Sequence, residues 1–284
     1  VTLTDAEIVY SLPSTSYAGY ANLGWKPAAL DDRLELTGGI RYTQDRKKEN
    51  AIRIANGVFQ GPQLSDNKWH NYGWSGSLSY QWTSDAMTYV RYSSAYRAGG
   101  FNPSQIGAPA FNPEKARTLE GGFKTEWFDR MARLNGAVFK TWYNDLQINQ
   151  RNAQTATSIV VNAGKATYTG YELEGVVVLG GGFQVNGTVG YVDPKYKEYL
   201  FRDASGAPLN IADVARFPMV SKWTYNIGGR YKSEPTPLGV VTLNLNYSFQ
   251  SSHYFQPVDS LAPNNAANPS GPQRNLKGSL VLSE

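Results

Sequence analysis

The chain has 284 residues, of which 18% are charged, a net charge of +4 and no cysteine. Disulfide frameworks and thiolate metal centres are therefore excluded, and the scattered cations form no stripe of the kind that grips nucleic acid, so no nucleic-acid partner is expected. No run of about eighteen apolar residues supplies a membrane-crossing helix, yet Tyr (19) and Trp (7), whose apolar bodies and polar tips suit a hydrocarbon–water boundary, are abundant.

In chain order, the predicted elements alternate apolar and polar side chains with period two, the mark of strands with one apolar and one polar face. Tyr17–Trp25 comes first. Leu34, Leu36, Ile40 and Tyr42 then alternate with Glu35, Thr37 and Arg41. Trp74, Leu78, Tyr80 and Trp82 alternate with Ser75, Ser77, Ser79 and Gln81. Met87–Arg97 follows with less contrast, and Leu119, Phe123 and Trp127 oppose Glu120, Lys124 and Glu126. After Arg130–Tyr143 come Tyr171, Leu173, Val177 and Leu179 against Glu172 and Glu174, then Phe183, Val185, Val189 and Tyr191 against Gln184, Asn186 and Thr188. Trp223–Lys232 and Val241–Gln250 alternate strictly, which makes ten strands, and Asn275–Leu282 is a weaker eleventh.

The connections alternate as well. Lys26–Asp32, Thr83–Ala86, Asp129–Arg130, Gly180–Gly182 and Ser233–Pro237 are short. Gln44–Lys68, Ala98–Pro113, Asn144–Thr167, Asp193–Ser221 and Ser251–Arg274 are long. Tight turns at one end of a sheet and long loops at the other describe an outer-membrane barrel with short periplasmic turns and long extracellular loops. Soluble barrels and sandwiches share the period of two. Here, however, aromatics mark both ends of the apolar faces, and Trp74 and Trp82, eight residues apart, stand roughly 20 Å apart along the normal at the usual rise and tilt. The predicted fold is all-β: part of an antiparallel up-and-down transmembrane β-barrel, with Leu34, Leu36, Leu78, Tyr80, Leu243 and Leu245 toward lipid and Ser77, Lys124 and Asn244 toward the lumen.

Several blocks resemble the barrel of TonB-dependent receptors, bacterial outer-membrane transporters for ferric siderophores and similar scarce nutrients. Tyr89-Val90-Arg91-Tyr92-Ser93 leads to Arg97-Ala98-Gly99-Gly100-Phe101-Asn102, similar to the family's strand-to-loop segment. Asn112-Pro113-Glu114 followed by Leu119-Glu120-Gly121-Gly122-Phe123-Lys124 is similar to a second block. Leu134-Asn135-Gly136-Ala137-Val138-Phe139, Asp145-Leu146-Gln147, and Asn162-Ala163-Gly164 before Gly170-Tyr171-Glu172-Leu173-Glu174 are similar to others. The resemblance implies energised uptake through TonB, contacted by a plug domain. Neither plug nor TonB box has a counterpart in these residues, and the family's barrel closes with about twenty-two strands. Residues 1–284 are therefore expected to form a single partial barrel domain, about ten or eleven strands of a larger wall.

At the extracellular rim, Arg97 and Phe101 are candidate ligand contacts, the competing role for the adjacent glycines being a tight bend. Trp69 with His70, and His253 with Tyr254 and Phe255, are further candidates for an aromatic or metal-chelating ligand. Lumenal charges such as Arg41, Glu120, Lys124, Glu172 and Arg230 are expected to pair with one another or with a plug, because unpaired charge away from bulk water is costly. No group of residues has metal-ligand or nucleophile–base spacing, so neither a catalytic role nor a cofactor is expected. A passive porin-like channel is the alternative reading, and an outer-membrane hydrolase ranks below it.

Overall fold

Alternation predicts where strands lie, and pairing decides how far they run. The computed structural model describes residues 6–151, 158–202, 208–237, 239–254, 257 and 279–283. They form β1 (Ala6–Ser11), β2 (Ser14–Trp25), β3 (Leu34–Ala55), β4 (Val58–Thr83), β5 (Ala86–Arg97), β6 (Glu114–Trp127) and β7 (Ala132–Arg151). The sheet continues with β8 (Ser158–Gly180), β9 (Phe183–Arg202), β10 (Pro208–Asn210), β11 (Trp223–Lys232), β12 (Thr242–Gln250) and β13 (Ser279–Ser283). Every pairing between them is antiparallel, in the order β1-β3-β4-β5-β6-β7-β8-β9-β11-β12-β13, with β2 beside β3 and β10 beside β9. The sheet is open: among the described residues neither β1 nor β2 pairs with β12 or β13. The eleventh strand of the sequence reading is present as β13 over Ser279–Ser283, while 275–278 lie outside the described residues.

The registers put each apolar set on one continuous face. A single row joins Leu36, Leu78, Val90, Gly121, Val138, Tyr171, Tyr191 and Trp223 across eight strands. The opposite parity joins Thr37, Ser77 and Arg91, with a Thr37–Ser77 hydroxyl contact of 2.6 Å. The protein leaves the apolar face uncovered, with Ile40 68% and Leu243 60% exposed. Such a face is stable only against hydrocarbon, so it meets lipid and the polar face lines the lumen. The aromatic ends step along the registers from strand to strand. Tyr42–Tyr72 gives way to Trp74–Tyr92, then to Tyr171–Tyr191–Trp223 and Tyr225–Phe249. A constant interface depth crossed by tilted strands requires that drift.

Two features differ from the sequence reading. Gln44–Lys68 is not a loop: β3 and β4 continue as a hairpin to a turn at Asn56–Gly57, both with positive φ. Asn144–Thr167 is likewise mostly strand, and β10 forms inside Asp193–Ser221. These stretches lack alternation because neither face meets lipid; backbone pairing and a small core of their own sustain them. The second difference is β1, which pairs with Asn50–Ala55. β1 and β2 share one edge of β3, interrupted at Pro13, whose carbonyl accepts from Lys48 N at 3.0 Å. A proline, having no N–H, fits only such an edge.

The buried apolar side chains of the described residues, Trp69, Ile148, Tyr199 and Ile211 among them, all lie on the loop side of the aromatic band. The membrane-level wall borrows its apolar environment from lipid; the extracellular part, standing in water, needs a core of its own.

Candidate ligand-binding rim

The rim is built where β5 runs into the connection before β6. Arg97 has the lumenal parity and is exposed, opposite Glu114 in register. After it the chain folds back over the lumenal side of the β3–β4 hairpin. Gly100 and Phe111 exchange backbone hydrogen bonds of 3.1 and 2.9 Å, closing the connection into a strap. The glycines of the Arg97–Phe101 block serve close approach, and neither has positive φ. A Cβ on Gly99 would sit 2.3 Å from Phe111 O and 2.7 Å from the Trp69 ring, and one on Gly100 would sit 2.6 Å from the Phe111 ring.

Trp69 is the anchor of the strap. Its ring packs against Phe101 at a centroid distance of 6.0 Å, and Lys47 Nζ stands 6.0 Å from its centroid while donating to Gly99 O at 2.7 Å. Burial lowers the Lys47 pKa, opposed by Asp45 and reinforced by nearby Arg97. The far side of the strap is tied to β8. Asn102 donates to Val160 O at 2.9 Å and accepts from Val160 N at 2.8 Å, while Asn162 accepts from Asn112 N and donates to Asn112 O. Gln147 donates to Ala98 O and Asn112 O at 2.9 and 3.1 Å. The strap therefore links two hairpins across the lumenal side of the rim.

The structure brings together Arg97, Phe101 and Trp69. It separates His70 from them, because adjacent residues on a strand point to opposite faces: Trp69 is buried under the strap and His70 is exposed on the outer side. His253 is 8% exposed, its Nδ1 3.3 Å from Ser221 Oγ and 3.4 Å from Gln250 Nε2. Tyr254 bridges to Pro218, its carbonyl accepting from Met219 N at 2.6 Å. Phe255 lies outside the described residues.

A second aromatic group, absent from the sequence reading, lies beside Tyr254. Tyr196 stacks on Phe217 at 3.8 Å and 11°, Phe217 meets Tyr168 at 5.0 Å, and Tyr168 meets Tyr143 at 5.2 Å. The stack borders a cavity of about 690 Å³ that Arg216, Ser252 and Tyr254 also line. Burial raises the pKa values of Tyr143, Tyr168 and Tyr196, and lifts that of Tyr199 to about 12, so these phenols are neutral hydrogen-bonding groups at physiological pH. A register shift between Ala166↔Tyr196 and Lys165↔Glu198 puts Tyr196 and Tyr199, three apart, on one side. One signal was available: Tyr168 has the parity of Gly170 and Glu172, so it is an aromatic residue on the polar face.

The lumen below carries paired and unpaired charge. Glu174 is 3.4 Å from Arg133, Glu126 is 3.1 Å from Arg130, and Glu120 accepts from Tyr89 Oη at 2.8 Å. Among the described residues Lys124, Glu172 and Arg230 make no ion pair. Nor do the described residues gather a group of three or more His, Cys, Asp or Glu placed to hold a metal ion.

A family model described as TonB dependent receptor-like, beta-barrel matches residues 6–275. The chain belongs to this family of outer-membrane barrels. The pesticin receptor of Yersinia pestis is 30% identical over 174 residues, 57% of this chain and 24% of that protein. The solved ferric yersiniabactin uptake receptor of the same organism aligns with a TM-score of 0.72 and 20% identity, covering 98% of this chain and 38% of its own. The ferric-catecholate import receptor of E. coli K12 aligns at 0.67 and 17% identity, covering 96% and 38%. This TonB-dependent receptor barrel segment spans about a quarter of the curated relatives it matches, and the agreement with the solved structures is one of fold.

Proposed function

We propose that this chain is part of the wall and extracellular rim of a receptor that takes up a ferric siderophore, or a similar scarce nutrient, with energy delivered by TonB through a plug domain. Residues 1–284 act as one barrel segment with no catalytic role and no resident cofactor. The observation that carries the reading is the inward rim. Phe101 of the strap, packed on Trp69, and Tyr168, Tyr196 and Phe217 beside the second cavity are aromatic groups above the lumenal charges, and an incoming ligand would meet them there. Lys124, Glu172 and Arg230 below, which make no ion pair among the described residues, would offer polar contacts to a plug. Aromatic clusters at the mouth suit capture of a specific ligand, which a general diffusion pore does not need, and this weighs against the passive channel.

Iron uptake in cells carrying the full-length receptor tests this. Removal of the receptor, or of TonB, is expected to abolish growth on one ferric siderophore as sole iron source. The double variant Trp69→Ala/Tyr196→Ala is expected to weaken binding of that ligand while the barrel still assembles. Solute permeation into receptor-containing vesicles that proceeds without TonB and ignores both substitutions would establish the passive channel instead.

A further inference from the structure

The lipid-facing side of the sheet is unevenly filled. A groove of about 750 Å³ crosses β5 to β9, with Val90, Leu119, Val138, Tyr171 and Tyr191 along it and Lys140 and Lys195 at its loop end. Its depth comes from Gly121, which stands between Val90 and Val138 in one register row. Most neighbouring glycines are required by packing. A Cβ on Gly122 would meet the Tyr89 ring at 2.6 Å, and one on Gly136 would meet Phe123 at 2.6 Å. At Gly121 a Cβ would meet nothing nearer than Tyr89 O at 3.8 Å, so the protein itself has no need of the space it leaves.

The head of the groove is cationic. One row nearer the loops on the same face are Leu119, Lys140, Thr169 and Asp193, and the next holds Arg117, Trp142, Thr167 and Lys195. Arg117, Lys140, Lys195 and Lys222 are exposed. Lys140 Nζ lies 5.4 Å from the Trp142 ring centroid, at the depth of the aromatic band. Asp193 is shared by Lys222 at 2.7 Å and Lys195 at 3.0 Å, while Arg117 and Lys140 make no ion pair among the described residues. At the turn end the balance differs, with Asp31, Asp32, Asp85 and Asp129 offsetting the cations there.

An apolar trough on the lipid side, headed by surplus positive charge at the extracellular interface, matches an amphiphile with an acyl chain and an anionic head. We propose that this groove seats one phosphorylated lipid of the outer leaflet, an acyl chain over Gly121 and the headgroup phosphate against Lys140, Lys195 and Arg117. The trough over Gly121 lies on the opposite face from Trp69 and Phe101; of the three headgroup cations, Lys195 alone also borders the second rim cavity.

Diphosphorylated lipid A titrated into the detergent-solubilised full-length receptor, with bound lipid counted by native mass spectrometry, tests it. The expected result is a single tight site. Lys140→Gln/Lys195→Gln is expected to weaken it five- to thirtyfold, about fivefold per cation removed, and Lys140→Arg/Lys195→Arg to keep it. Gly121→Leu, which fills the trough, is expected to abolish the site. Lys124→Gln, on the lumenal face, is expected to leave it unchanged. Resistance of the solubilised barrel to SDS without heating reports folding for each variant. Affinity unchanged by both the glutamine pair and Gly121→Leu, equal loss in Lys124→Gln, or equal affinity for a lipid with an uncharged head would overturn the proposal.

Discussion

Three glycines in this wall are explained by the rings beside them. Tyr89 is paired in register with Gly122, Phe123 with Gly136 and Phe139 with Gly170, and in each case the aromatic ring lies where the glycine Cβ would be, at 2.6–2.7 Å. A ring laid across a glycine restores the contact area that the missing side chain forfeits. Gly136→Ala is therefore expected to displace the Phe123 ring and destabilise the full barrel by about 1–3 kcal/mol, whereas Gly121→Ala, in open space, is expected to cost well under 1 kcal/mol, as surface substitutions do. Denaturant titration in lipid vesicles separates the two, and equal costs would refute the ring-over-glycine account. Trp69 behaves differently, because it holds the strap and not the wall. Trp69→Ala is expected to raise proteolysis and amide exchange across Ala98–Pro113 while leaving the membrane-level strands as protected as before.

At the scale of one strand, facing decides tolerance. β12 sets Leu243, Leu245 and Tyr247 on the apolar side and Asn244, Asn246 and Ser248 on the other, where Asn226 Nδ2 donates to Ser248 Oγ at 2.7 Å. Leu243→Arg is expected to destabilise the full-length barrel by ~2–4 kcal/mol and Asn244→Arg by much less, because only the first forces a charge into hydrocarbon. Refolding into vesicles gives both values, and matching losses would reverse the assignment of the faces. Outside the membrane the same strands obey other rules. The β3–β4 hairpin has Glu49 buried at 2% exposure, accepting from Gln63 Nε2 at 2.7 Å and Ser65 Oγ at 3.1 Å. There polar groups face inward, since water and the strap, not lipid, surround them. Glu49→Ala is expected to strand the amide of Gln63, whose Oε1 also accepts from Gly107 N at 2.5 Å. It should therefore loosen hairpin and strap together by about 1–3 kcal/mol, read as matched increases in hydrogen exchange.

For the whole molecule, the open edges matter most. β2 at one end and β13 at the other present backbone N–H and C=O groups that lipid cannot satisfy, so in the membrane other strands must meet them. Spin labels at Ala21 on β2 and Leu245 on β12 of the full-length receptor are expected to lie well beyond the roughly 10–15 Å that two or three strand spacings would give if β2 closed onto β13. A distance inside that range would mean a small closed barrel and would favour the passive channel.

The membrane-level strands could be read from sequence because one interface there repeats at every second residue. Leu36, Leu78, Val138 and Tyr191 all answer to the same hydrocarbon, and register follows from keeping them on one side. The family's blocks were legible too, as local strings such as Arg97-Ala98-Gly99-Gly100-Phe101. Above the aromatic band no common solvent orders the pattern, so the extended hairpins, β1, and the Tyr168–Phe217–Tyr196 stack appeared only in three dimensions. Trp69 and His70 make the contrast plain. They are neighbours in sequence, and it is the strap folding over one face alone that buries the first and leaves the second exposed. Gly121 and Lys195 are seventy-four positions apart in the chain, and only the register of β6, β7, β8 and β9 makes them the floor and the head of one groove.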